Sequence, residues 1–99
     1  MSTEDLGGFA PPPFKPDEAL LQIKRALREL RLVERGNGFE LRGRRVLELA
    51  VAADSVTARL ARKLALTPQW DAQSVHNAAA QRKLIDEVKK RLAVWEHED

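Results

Sequence analysis

Four arginines carry the sharpest chemistry this chain offers: Arg42, Arg44, Arg45 and Arg59. A guanidinium is planar, permanently charged and forked, so it grips a phosphate through two parallel hydrogen bonds. Arg35, Arg62 and Lys63 join the set if the chain between them doubles back on itself. The charge distribution agrees. Eleven bases stand against five acids between Lys24 and Lys63, whereas both flanking stretches are mildly acidic and the whole chain is only +2. A basic middle of this kind suits an anionic partner, RNA or DNA backbone held without sequence preference. The competing reading is that arginines keep one face of a sheet hydrated. Base stacking is not expected, because no aromatic residue is placed on that face.

Catalysis is poorly supplied. The 99 residues contain no cysteine and no tyrosine, and two histidines, His76 and His97. A nucleophilic pair would need Ser55 or Ser74 with His76, yet neither serine sits in a nucleophile elbow or beside a glycine-rich oxyanion loop. His76 is expected on the surface, and the chain is expected not to be an enzyme. The run Glu96-His97-Glu98-Asp99 offers metal-ligand types, but adjacent residues on a fraying end do not converge with defined geometry. Gly36-Asn37-Gly38 lacks the Lys-Ser/Thr ending of a phosphate loop and reads as a turn. No catalytic residue, metal site or cofactor is therefore expected. Trp70, close to Pro68, is either a plug in the core or the anchor of a protein interface, since tryptophan is enriched at binding hot spots.

The elements that position these residues follow from periodicity. Leu20, Ile23, Leu27 and Leu30 recur at helical spacing, and Pro16-Asp17-Glu18 places proline and two acids at the positive end of the dipole. A helix is predicted over 17–33, with Gly36 as its left-handed cap. Beyond it, Phe39, Leu41, Leu47, Leu49, Val51, Val56, Ala58 and Leu60 alternate with Glu40, Arg42, Glu48 and Arg59, the period of a half-buried sheet. Strands at 39–42, 45–52 and 55–62 form a meander. Its register sets Phe39 against Leu47, Leu41 against Arg45, Leu47 against Leu60, Leu49 against Ala58 and Val51 against Val56, all on one face and all apolar apart from Arg45. The same register puts Glu48 across from Arg59 on the other face. The alternative is a helix through Val46, Leu49, Ala53, Val56, Leu60 and Leu64, giving a three-helix bundle.

A last helix is marked by Leu84, Ile85, Val88, Leu92 and Trp95, with Thr67-Pro68, Ser74 and Asn77 as candidate starts; a short turn over 68–71 leads into it from about residue 74. The fold class is then α+β: two layers in the order αβββα, with both helices on one face of a three-stranded antiparallel meander. That order is the one found in the double-stranded-RNA-binding fold, and the likeness is in element order only. The lysine cluster that opens the fold's last helix is replaced by Ala78-Ala79-Ala80-Gln81-Arg82-Lys83, and its Gly-Pro-x-His loop is absent. The chain is not assigned to that family.

Residues 1–16 read as a flexible proline-rich arm, with Phe9 or Phe14 tacked onto the domain and a loose PxxP spacing over 13–16, ahead of one domain at 17–99. A small cytoplasmic binding or adaptor domain is expected, its partner an unknown protein or a second copy joined through a sheet edge. No membrane partner is expected, and nucleic-acid backbone held by the arginine cluster is the alternative.

Overall fold

The computed structural model describes residues 13–97, so Phe9, most of the predicted arm and the end of the Glu96–Asp99 run lie outside the described residues. Helix α1 spans Pro16–Glu29. Proline occupies its first turn with Asp17 and Glu18, and Ala19, Ile23 and Leu27 are its buried stripe. The helix ends four residues earlier than its periodicity suggests, and Gly36 is not its cap. Arg31 takes the left-handed conformation instead, at φ 69°. The Leu32 N–H then donates to the Leu27 carbonyl at 3.2 Å, and the Arg31 N–H to that of Arg28 at 2.9 Å. These two bonds, closed over by buried Leu27 and Leu32, make a complete Schellman motif built without glycine.

The chain released by this cap enters a sheet of five strands, not three. They are β1 (Val33–Arg35), β2 (Gly38–Leu41), β3 (Arg44–Val51), β4 (Val56–Ala61) and β5 (Trp70–Val75), antiparallel and in sequence order across the sheet. The first two hairpins turn on two residues each. Gly36, at φ 61°, opens the β1–β2 turn, and Arg42 and Gly43, at 56° and 78°, make the β2–β3 turn. Turns of this handedness match the twist of the strands they join.

Pairing of β3 with β4 follows the apolar alternation, Leu47 with Leu60, Leu49 with Ala58 and Val51 with Val56, with Glu48 opposite Arg59. Phe39 faces Leu47 as expected. Leu41, however, faces Arg44 rather than Arg45, because the turn is one residue shorter than the alternation implies. A bulge takes up the difference, and through it Val46 and Leu47 are both fully buried. The three-helix alternative is excluded, since 44–61 is a hairpin.

Strand β5 replaces the expected 68–71 turn and the first residues of the expected helix. Helix α2 runs Ala78–Glu96 from Asn77, whose side chain accepts the Ala80 N–H at 2.7 Å. Both helices lie over one face of the sheet. Ile23, Leu27, Phe39, Leu47, Leu60, Leu84, Val88 and Trp95 form a continuous core there, and the buried Trp95 indole donates to the Ala61 carbonyl at 3.1 Å. With five strands, the element order no longer matches the double-stranded-RNA-binding fold.

Two substitutions test this framework. A Cβ at Gly38 would lie 2.5 Å from the Leu47 carbonyl oxygen and 2.7 Å from the Arg45 guanidinium. Gly38→Ala is expected to cost about 1–3 kcal/mol in urea unfolding. Arg31→Gly relieves the left-handed strain and is expected to raise the unfolding free energy by about 0.5–1 kcal/mol; an unchanged midpoint would contradict the cap.

Candidate functional site

The face away from the helices presents a chain of charge that crosses the sheet. Arg45 donates through Nε to Glu48 Oε2 at 2.8 Å, and its other nitrogens reach the Arg35 carbonyl and the Asn37 side chain. Arg59 Nη1 meets the second Glu48 oxygen at 3.0 Å. The Arg59 guanidinium also lies over the Trp70 ring, 5.1 Å from its centre. At the β1 end, Arg35 pairs with Glu40 at 3.3 Å. Small residues fill much of the rest of this face: Ala50, Thr57, Ala72 and Ser74.

The structure separates the four candidate arginines. Arg45 and Arg59 share this open face and a single carboxylate. Arg44 pairs across the hairpin with Leu41, whose side chain packs against the core, so it belongs to the helix-facing side. Arg42 sits in the turn, where Nη2 donates to the Glu96 carbonyl at the end of α2, 3.2 Å away. Arg62, one of the expected recruits, is bound to Asp71 at 2.9 Å.

Trp70 corrects the expectation that the open face lacks an aromatic residue. It is half-buried, pairs with Ala61 across β4 and takes Arg59 on its ring. The cause is β5, which period-two reading does not find. On the helix-facing side β5 offers Asp71 and Gln73 and only one apolar residue, Val75, so no hydrophobic alternation marks it. Asp71 is accommodated there because Arg91 Nη2 from α2 and Arg62 Nε each reach it at 2.9 Å. Arg62 first and Arg91 second hold its carboxyl below the usual carboxylate range. Glu34 of β1 is lowered in the same manner by Lys24 and then Arg28 of α1.

The backbone of β5 has a second property. The Arg62 N–H donates to the Gln69 carbonyl at 2.9 Å, which makes 62 and 69 a hydrogen-bonded pair of the β4–β5 ladder. Such pairs alternate in an antiparallel ladder. In the observed register Asp71, Gln73 and Val75 therefore bond to β4, and Trp70, Ala72 and Ser74 direct N–H and C=O outward from the end of the sheet. Ala72 and Ser74 are exposed.

The two ends of the sheet are unlike. Strand β1 has three residues, two of them charged. Strand β5 has six in an unbroken register, without proline, lysine or arginine. Short length and charge are the usual protection of an edge; β5 is longer, and its one charged residue, Asp71, points toward the helices and is paired there with Arg62 and Arg91.

His76 is exposed, as expected. It lines a cleft of about 500 Å³ with Phe14, Glu18, Gln22 and Asn77, between the arm and the starts of both helices. Glu18 pairs with Lys15 at 3.7 Å rather than with the histidine. Among the described residues, no group of three or more His, Cys, Asp or Glu side chains is arranged to hold a metal ion, and no helix is long and apolar enough to cross a membrane. Comparison with protein-family models, curated proteins and solved structures found no match.

Because the folded Asp71 carboxyl titrates below its unfolded value, its contribution is present above the unfolded pKa and lost as pH falls through the folded one. Thermal melts from pH 7 down to about 2.5 are expected to show a shallower acid loss for Asp71→Asn than for the wild type, with the variant less stable at neutral pH.

Proposed function

We propose that this chain is a non-enzymatic binding domain that recruits a protein partner by strand addition along β5. The observation that supports it is the open edge: three outward-facing donor and acceptor pairs, at Trp70, Ala72 and Ser74, on a six-residue strand without proline or bulge whose one charge, Asp71, is held by Arg62 and Arg91. Main-chain bonding supplies affinity in this mode, and side chains on alternate positions supply choice. Trp70 gives the open-face side of the edge one large half-buried ring at its entry, with Arg59 already seated on it.

Phosphate-backbone binding through Arg42, Arg44, Arg45 and Arg59 draws less support. Glu48 takes the charge of two of the four, and Arg44 stands on the other side of the sheet from them. A site that neutralises its own cations releases few counterions from nucleic acid. Gel shifts with duplex RNA and DNA over a salt series separate the classes: steep loss of binding with salt would favour phosphate contacts, and the edge reading expects no shift at low salt.

Ala72→Pro tests the edge directly. The Ala72 N–H points away from β4, so proline there removes an outward donor and spares the ladder. The variant is expected to melt within about 1 kcal/mol of wild type. Peptides selected from a random display library on the wild-type domain should lose about tenfold or more in affinity for it. Binders indifferent to Ala72→Pro would rule the reading out.

A further inference from the structure

Resting on β5 as a binding edge, we infer that the strand it accepts is β5 of a second copy of this chain. The backbone dictates the register. Only Trp70, Ala72 and Ser74 have groups to offer, and they are spaced by two. A two-fold axis perpendicular to the sheet at Ala72 sets Ala72 against Ala72 of the second copy and Trp70 against its Ser74. Every outward N–H and C=O of the three residues is then bonded in one ladder.

Moving the axis by one residue in either direction loses part of that match. Centred on residue 71, the pairing also sets the two Asp71 carboxylates face to face. With the axis at Ala72, Asp71 lies opposite Gln73, and each aspartate keeps its two arginines from its own chain. Open faces stay on one side and helices on the other, so two five-stranded sheets become one of ten. The centre is small: alanine meets alanine, with Trp70 on each side set against Ser74 of the other copy.

In this register residue 72 faces itself, which gives a charge test that no other pairing passes. Sedimentation equilibrium of the full chain, up to about 1 mM, is expected to show a reversible shift from the 11.2 kDa monomer toward twice that mass. Ala72→Lys places two like charges opposite each other and should weaken self-association about fivefold, roughly 1 kcal/mol. Adding an equal amount of Ala72→Glu should restore it as a mixed dimer. Ala72→Pro should remain monomeric. A second readout uses the absence of native cysteine. Ala72→Cys should be joined by a short bis-maleimide, each end of which adds one cysteine thiol across its double bond, and Ala50→Cys, out on β3, should not.

Wild-type chain that stays monomeric throughout, or a dimer that Ala72→Pro leaves intact, would overturn the inference. If the wild type is monomeric yet display selection still yields peptides sensitive to Ala72→Pro, the edge takes a foreign strand and only self-pairing is wrong. If neither appears, the edge reading falls with it.

Discussion

A carboxylate on the helix-facing side of the last strand holds the second half of this domain together. Asp71 is partly exposed at the rim of the core, and two arginines hold its carboxylate there. Arg91 reaches it from α2 and also bonds Glu87 on its own helix and the Leu60 and Ala61 carbonyls of β4. One guanidinium thereby ties α2, β4 and β5 together, and the Trp95 indole adds a further bond to the Ala61 carbonyl. With Asp71 bound from within, β5 runs in unbroken register along β4, and the N–H and C=O groups of Trp70, Ala72 and Ser74 face away from the sheet.

Charge on the other face serves shape before recognition. Glu48 holds Arg45 and Arg59 in place, Arg45 lies across Gly38, and Arg59 covers Trp70. These contacts reach from the β1–β2 turn to β5, so the residues best suited to grip phosphate are engaged in spanning the sheet. Each pair is partly exposed and modest in strength. Their joint effect is to fix side chains on a face with few apolar contacts of its own.

The central hairpin was legible because its signal is period-two burial. Leu47, Leu49 and Val51 opposite Leu60, Ala58 and Val56 admit one register, and Glu48 opposite Arg59 agrees on the other face. The Phe39 pairing was legible too, although the bulge after Arg45 was not, since an extra residue leaves no mark in an alternating pattern. The outer strands were hidden for a different reason. Glu34 and Asp71 stand where apolar residues would have marked a strand, and each is satisfied by cations of a packed helix, Glu34 by Lys24 and Arg28 of α1 and Asp71 by Arg91 of α2. The cap of α1 was misplaced because Gly36 is the residue that favours positive φ, whereas the helix stops at Arg31.

Alternation and helical spacing alone determined that this chain makes two amphipathic helices over an antiparallel sheet, because burial of apolar side chains repeats at the period of the backbone. Tertiary structure decided how wide the sheet is, which edge stays open and where the arginines go. Those outcomes rest on ion pairs such as Asp71 with Arg91 and Glu34 with Lys24. A carboxylate's partner is set by where the folded chain brings a cation, and local periodicity holds no record of that meeting.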